Sequence, residues 1–163
     1  EYLVYSRFVA PTMPTSPLSR AGWRVAASVA GEPAERAIDG VRNSRWSSVG
    51  AAPQTPGMWF MVNLDTPAAI SAIELDFGGS IQDYPRGLAL AVSADGERWE
   101  EVSPTITRLG RLYWTGTHAI RGGVQRMVLR FPARTARFVR LQQTGTDFVF
   151  GWSIHELNVY PPT

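Results

Sequence analysis

The sequence predicts a single domain built as an antiparallel β-sandwich or jelly roll. In several short runs, hydrophobic residues recur every second position, which is typical of strands that bury one face. Turn-forming pairs such as Asp95-Gly96 and Thr144-Gly145 separate these runs. Helical patterning is almost absent, and short strands with so little helix favour a sandwich of about eight strands.

The predicted strands follow the alternating runs, and Asp65-Thr66-Pro67 is expected to form a turn between the first two. In the last run Ile154 and Leu157 are three positions apart, so a β-bulge is expected to turn both inward. Residues 32–38 are the one predicted helical piece, about one turn long. The strands are expected over residues 58–64, 73–77, 88–92, 99–102, 127–131, 138–142 and 152–160.

Residues 1–21 are predicted to form a Pro-rich lead-in, and residues 22–163 the compact domain. Pro11, Pro14 and Pro17 among Ser and Thr indicate an extended, stiff segment. The length of 163 residues suits one domain. The chain begins at Glu1 without Met or a signal-peptide pattern, so we expect a piece of a longer protein.

The composition excludes several kinds of chemistry. The chain has no Cys and only two His, which rules out disulfides, a Cys nucleophile and a His-rich metal centre. All 16 basic residues are Arg, so Schiff-base and P-loop lysines are excluded as well. The net charge is only +2 and the Arg residues are scattered, so we expect no nucleic-acid partner. No apolar run approaches the roughly 18 residues of a membrane span.

Hydrolase, metalloprotease, P-loop and dinucleotide-binding motifs are also missing from the sequence. Glu97, Glu100 and Glu101 lie near a predicted hairpin turn, where exposed carboxylates are ordinary. We therefore expect a binding domain and not an enzyme.

Five short segments with characteristic composition follow one another over about residues 22–160. They are Ala37-Ile38-Asp39-Gly40 with Ser44-Arg45-Trp46-Ser47-Ser48, residues 56–64, residues 92–102, residues 136–141 and residues 152–160. Together they resemble the discoidin family, the fold of the coagulation factor V/VIII C domains, which includes the family 32 carbohydrate-binding modules. Asp83-Tyr84-Pro85-Arg86 and Gln143-Thr144-Gly145 are further similar to discoidin domains fused to bacterial polytopic membrane proteins, including glycosyltransferases.

The resemblance implies a structural calcium ion held by a loop and by the last strand. Asp39 and Glu156 would be the charged ligands, Ala37, Arg42 and Ser44 would offer carbonyls, and Ser44 its hydroxyl. Calcium prefers six to eight such oxygens at about 2.3–2.6 Å. Alternatively, Asp39-Gly40 is a plain turn and Glu156 bonds to loop amides.

The resemblance also implies a sugar site in the loops at one end of the sandwich. Aromatic rings stack on the apolar face of a sugar, and planar polar groups bond its hydroxyls. Four loops are candidates: residues 47–57, 78–86, 108–118 and 146–151. The candidate ligand-binding residues are Asp83, Tyr84, Arg86, Arg111, Tyr113, Trp114, His118, Phe148 and Phe150.

Other roles for these side chains are open. Arg86 could instead pair with Asp83 or Asp76 at the surface, and His118 could be a satisfied loop histidine. Trp114 and Phe148 are the aromatic residues least explained by core packing. Five tryptophans are expected to pack in or beside the core: Trp23, Trp46, Trp59, Trp99 and Trp152.

We therefore expect a non-catalytic glycan-binding module of a larger bacterial protein that is secreted or membrane-anchored. It would work outside the cytoplasm, in the periplasm or extracellular space. One alternative is a domain that docks on its parent membrane protein, for which a glycosyltransferase is a candidate, through Tyr84, Trp114, Phe148 and Phe150. The other is a domain whose apolar loop tips insert into a lipid surface.

Overall fold

The computed structural model of the protein describes residues 16–48, 53–110 and 112–163, apart from the side chains of residues 112, 113 and 121. This part folds as the predicted antiparallel β-sandwich. A 3-10 turn over Ala34–Ala37 lies within the predicted helical piece. The strands are β1 (Arg24–Ala27), β2 (Trp46–Ser47), β3 (Trp59–Asp76), β4 (Leu88–Ser93), β5 (Glu100–Val102), β6 (Thr105–Leu109), β7 (Leu112–Trp114), β8 (Ala119–Arg121), β9 (Arg126–Gln143), β10 (Ser153–Ile154) and β11 (Glu156–Tyr160).

The long strands β3 and β9 pair with each other and run through both layers of the sandwich. Strand β1 pairs with the first half of β3, and β4 pairs with the second half of β9. Strands β11 and β6 pair with the opposite halves of β3 and β9. Phe60 and Leu75, from the two halves of β3, are both fully buried in one hydrophobic cluster. The two halves therefore face each other across the core.

The prediction that a turn at Asp65-Thr66-Pro67 separates two strands is wrong. Strand β3 continues through these residues, with a register shift between Asn63 and Ala68. Asp65 adopts a left-handed φ of 69°, and its amide donates to Asn63 Oδ1 at 3.0 Å. Such an irregularity bends the strand from one layer of the sandwich to the other, with no separate turn. The predicted strands 58–64 and 73–77 are accordingly parts of one bent strand.

The predicted loop 108–118 contains strand β7 and the end of strand β6, and strand β8 follows it directly. Strand β6 lacks a clean two-residue period, because its residues are exposed or half-buried on both faces. Its pairing with β9 defines it as a strand. Tertiary pairing here outweighs a weak local pattern.

Aromatic packing at the centre of the core matches the prediction for three tryptophans. Trp46 lies 4.9 Å from Phe60 and 5.1 Å from Trp152 between ring centroids. Trp23 is also buried. Trp59 and Trp99 were expected in or beside the core, and both residues are half-buried.

The two ends of the domain meet at β11. Ile154 and Leu157 are both fully buried, as predicted, with the break between β10 and β11 at His155. The Leu18 amide donates to the Val159 carbonyl at 2.8 Å, so the end of the predicted lead-in packs on the domain. In the described residues no helix has the length and apolar character needed to cross a membrane.

Candidate functional site

Three of the predicted loops meet at one end of the sandwich. The bend in β3 returns the chain to this end, where Trp59 begins the strand and Asp76 ends it. Residues 53–57 contact residues 144–151 through a bridge between Gln54 and Asp147. The 78–87 loop reaches both β10 and the start of β9, because Ser153 donates its amide to the Asp83 carbonyl at 3.1 Å, and Val124 donates to Ile81 at 2.8 Å.

Asp147 organises the 144–151 loop. Its Oδ1 atom accepts hydrogen bonds from the amides of Val149 at 2.8 Å and Phe150 at 3.0 Å. Its Oδ2 atom accepts from Arg86 Nε at 2.6 Å. The backbone bond from Phe150, then that from Val149, and further the Arg86 guanidinium lower the pKa of Asp147 below its ordinary value. The ionised carboxylate therefore fixes the loop at neutral pH.

Each of the three guanidinium nitrogens of Arg86 bonds an acceptor within the protein. Nη1 bonds the Tyr84 carbonyl and Nη2 the Gln82 carbonyl, each at 2.9 Å. Its guanidinium also lies 4.1 Å from the centroid of the Tyr84 ring. The structure thus pairs Arg86 with Asp147, and not with Asp83 or Asp76 as the sequence suggested. Arg86 and Tyr84 join two loops in this geometry.

Two buried glutamines lie beneath these loops. Gln54 donates to the carbonyls of Tyr84 at 3.0 Å and Gly151 at 2.8 Å, and accepts from the Arg86 amide at 3.0 Å. Gln143 bonds Gln54 and accepts from the amides of Gly87 and Gly145. Sequence reasoning gave neither a role: Gln143 was noted only as part of a resemblance motif, and Gln54 carries no local signal of its partners.

The loop held in this way presents an apolar tip, defined as Phe148-Val149-Phe150. Phe148 is 86% exposed, Val149 80% and Phe150 38%. Asp147 holds the backbone amides of residues 149 and 150, and the side chains of the tip are open to solvent. Exposed apolar groups of this size on an ordered loop indicate a contact surface.

A cleft of about 440 Å³ lies beside the tip. Asp83 is buried and accepts from Ser153 Oγ at 3.1 Å. Arg45 Nη1 lies 3.4 Å from Asp83 Oδ2 and also bonds Ser80. Sequence reasoning missed Arg45, which drew notice only as part of a family segment. The lining residues are Arg45, Gly79, Ser80, Ile81, Gln82, Asp83, Val149, Phe150 and Gly151.

The β7–β8 hairpin carries the remaining described candidates. Trp114 is 72% exposed, and His118 bonds the neighbouring Thr117 through Nδ1 at 2.9 Å. Neither residue lines the cleft. Arg111 and the side chain of Tyr113 lie outside the described residues.

The predicted calcium loop crowds several oxygen atoms around the Ser44 hydroxyl. Both Asp39 carboxylate oxygens and the Val41 carbonyl lie within 2.9 Å of it. The Val41 amide also donates to Asp39 Oδ1 at 2.8 Å, and the Ser44 amide donates to the Val41 carbonyl at 2.9 Å, as in a plain turn. The Arg42 carbonyl is engaged by His155 Nδ1 at 3.1 Å. The part of the loop from Asp39 to Ser44 thus contains oxygen atoms of the kind a hard cation prefers, but its own backbone amides and His155 already bond several of them.

Glu156, the other predicted charged ligand, forms an ion pair with Arg20. Its Oε1 atom is buried without a hydrogen-bond partner among the described residues. Burial has the largest effect on Glu156 and raises the pKa of its carboxyl group. The nearby Arg20 guanidinium partly opposes this rise. Within the described ranges no three His, Cys, Asp or Glu side chains cluster as a metal site. Glu156 can bind a cation only if its ion pair with Arg20 is broken.

An antiparallel sandwich with a polar cleft and an apolar loop at one end has the architecture of a ligand-binding module. A family model described as "F5/8 type C domain" matches residues 22–157. The chain belongs to this family, which is the discoidin resemblance seen in the sequence. A search of curated proteins found no match.

Solved structures with this fold include family 32 carbohydrate-binding modules. Chitosan-binding module 1 of a Paenibacillus sp. IK-5 chitosanase/glucanase is 26% identical over 84% of this chain and 93% of that chain, with a TM-score of 0.61. CpGH89CBM32-5 from Clostridium perfringens, in complex with GalNAc-β-1,3-galactose, is 20% identical over 89% and 99%, with a TM-score of 0.66. The family 32 module of NanJ from C. perfringens, in complex with galactose, is 17% identical over 86% and 94%, with a TM-score of 0.66.

Proposed function

We propose that this chain is a non-catalytic carbohydrate-binding module that holds a glycan in the cleft beside the apolar tip. The observation that carries the proposal is the pairing of a polar floor, Arg45 and Asp83, with an apolar wall, Val149 and Phe150. A sugar offers the same two kinds of surface, hydroxyls around its ring and C–H groups on its faces. The module would belong to a larger protein that acts outside the cytoplasm.

The ordered loops support this function because a fixed site loses less entropy when it binds. Arg86 and Asp147 hold the wall, and the Asp83 carbonyl and carboxylate both accept bonds from Ser153. Phe148 would extend the contact to a second sugar unit. Tyr84 and Arg86, first considered as ligand contacts, serve this site as its framework.

The structural neighbours support the same ligand class. Their names include a chitosan-binding module and complexes with GalNAc-β-1,3-galactose and galactose. These names cover more than one kind of sugar. The neighbours thus favour carbohydrate as the class of ligand. Which sugar binds depends on the residues that line this cleft.

Calcium is part of the proposal as a structural ion. Asp39 and Ser44, with neighbouring loop carbonyls, would hold the ion. Glu156 would join them by exchanging its ion pair with Arg20 for a contact with the calcium ion. The ion would neutralise the crowded oxygens and hold residues 39–44 in place. The glycan contacts lie on other residues.

A glycan array probed with this chain, with calcium and with chelator, tests the function. Phe150→Ala should lower binding about tenfold or more, because it removes the aromatic wall. Trp114→Ala is the matched control, since it removes an exposed aromatic ring that does not line the cleft. A folded chain that binds no glycan on a broad array would refute the proposal.

A second candidate function is suggested by the exposure of Phe148 and Val149. The apolar tip could instead dock on a parent membrane protein or enter a lipid surface. Co-sedimentation with anionic and neutral liposomes tests the lipid case. Vesicle binding that Phe148→Asp abolishes, together with an empty glycan array, would favour it over the cleft.

A further inference from the structure

We infer that the cleft selects uncharged sugars that carry neighbouring hydroxyls, and discriminates against both acidic and amino sugars. The inference rests on the proposed function and specifies its ligand class. Among the described residues that line the cleft, Arg45 and Asp83 are the charged side chains. The lining is therefore bipolar, with one fixed positive and one fixed negative group.

Asp83 is fixed as an acceptor. Its amide donates to the Ser80 carbonyl at 2.9 Å, and its carbonyl accepts from Ser153. Its Oδ2 atom accepts from Ser153 Oγ at 3.1 Å. The Oδ1 atom accepts no hydrogen bond from the described residues, and it remains available to a hydroxyl donor.

Arg45 is fixed as a donor by a chain of hydrogen bonds. Its Nη1 bonds the Ser80 hydroxyl, which lies 3.0 Å from His155 Nε2. His155 Nδ1 in turn lies 3.1 Å from the Arg42 carbonyl. Within the described part of the chain, Arg45 Nε and Nη2 have no partner. These N–H groups remain for a ligand.

The contact between Arg45 and Asp83 is loose. At 3.4 Å it exceeds the usual 2.7–3.2 Å of an N–H···O bond, so each group keeps bonding capacity. Two neighbouring hydroxyls can satisfy both groups, because a hydroxyl donates to a carboxylate and accepts from a guanidinium. Such a ligand needs no charge of its own.

A charged sugar is opposed by one of the two groups. A carboxylate in the cleft would gain from Arg45 but face Asp83, and an ammonium group would gain from Asp83 but face Arg45. Like charges brought together in a partly desolvated site are unfavourable. Discrimination therefore follows from the opposed pair, and removing either charge should reverse it for one ligand class.

The test compares three sugars that share one ring geometry: galactose, galacturonic acid and galactosamine. Each sugar is displayed at the same density on a neutral linker. A second series of the same three types is prepared on a glucose ring. Binding is measured for the wild-type chain, Asp83→Asn and Arg45→Gln. We expect the wild type to prefer the neutral member. Asp83→Asn should shift relative affinity toward the acid, and Arg45→Gln toward the amine, each by about tenfold. Glu100→Gln, a charge change on β5 outside the cleft lining, should leave the order unchanged.

Two results would overturn the inference. A wild type that prefers a charged member contradicts it, and so does an identical order in all three proteins. Either result leaves glycan binding itself intact. If the chain binds no glycan although a melting transition shows that it is folded, the proposed function and this inference are both refuted.

Discussion

Arg86 and Asp147 are joined by two contacts to a single carboxylate oxygen. Arg86 Nε and Nη2 lie 2.6 Å and 2.5 Å from Asp147 Oδ2. The pair is largely shielded from water, with side chains 20% and 15% exposed. It connects the 78–87 loop to the 144–151 loop, and so sets the position of the cleft wall relative to the floor that carries Asp83.

The first prediction is that Arg86→Met weakens glycan binding without removing a ligand contact. Asp147 would lose its partner, and the wall would no longer be held against the floor. We expect a loss of about 1–3 kcal/mol in the free energy of unfolding, measured in urea, together with a lower affinity. Arg134→Met, which breaks an exposed pair with Glu100, is the matched control and should cost about 0–1 kcal/mol. Equal effects of the two changes would argue against a positioning role.

The second prediction concerns the pH dependence of stability, because the pKa values of Asp147 and Glu156 are shifted in opposite directions. The pKa of Asp147 lies below its ordinary 3.8, chiefly through the Phe150 and Val149 amides. Its contribution to stability is present above pH 3.8 and is lost as the pH falls through the folded value. Burial raises the pKa of Glu156 above 4.5. The folded state thus gains stability relative to the unfolded state as the pH falls through this raised value toward 4.5.

Unfolding in urea over a pH series separates the two groups. The stability difference between the wild type and Asp147→Asn should shrink below pH 3.8, where the wild type loses its advantage. Glu156→Gln should lack the gain that the wild type shows as the pH falls toward 4.5. Parallel pH curves for the wild type and either variant would contradict the assignment for that group.

The third prediction is that Arg20 limits the response to calcium. Its guanidinium pairs with Glu156 and donates to Asn158 Oδ1 at 2.7 Å, so it supplies the positive charge that a cation would otherwise bring. Arg20→Ala should lower the melting temperature in chelator, because Glu156 loses its partner. Added calcium should then raise the melting temperature of this variant more than that of the wild type.

Arg24→Ala is a suitable comparison for this experiment, since Arg24 is an exposed cation on β1. It should respond to calcium as the wild type does. If millimolar calcium shifts neither the wild type nor Arg20→Ala, the calcium site is absent. If it shifts both equally, the ion binds without competition from Arg20.

The alternation of hydrophobic residues was enough to predict the layers of the fold, because burial of one strand face is a local property of the sequence. The continuity of β3 was not predictable in this way: Asp65-Thr66-Pro67 has the composition of a turn, and only pairing with β9 shows that it is a bend. The cleft was harder still. Arg45 meets Asp83 and Phe150 there through contacts between distant segments, so no local pattern signals its role.

The last prediction tests how closely the two loops must approach. A Cβ atom on Gly145 would lie 2.7 Å from the Gly87 amide nitrogen and 2.8 Å from the Arg86 carbonyl carbon. These are backbone atoms and cannot move aside as a flexible side chain can, so Gly145→Ala should force the 78–87 and 144–151 loops apart. Overpacking of this kind typically costs about 1–3 kcal/mol of unfolding free energy. Gly79→Ala is the control for stability alone, because nothing lies within 4 Å of its added Cβ but Gly79 itself lines the cleft. If Gly145→Ala lowers stability more than Gly79→Ala does and also lowers glycan affinity, the cleft depends on the contact between the loops. If it lowers stability but leaves affinity unchanged, the wall and the floor are positioned independently of that contact.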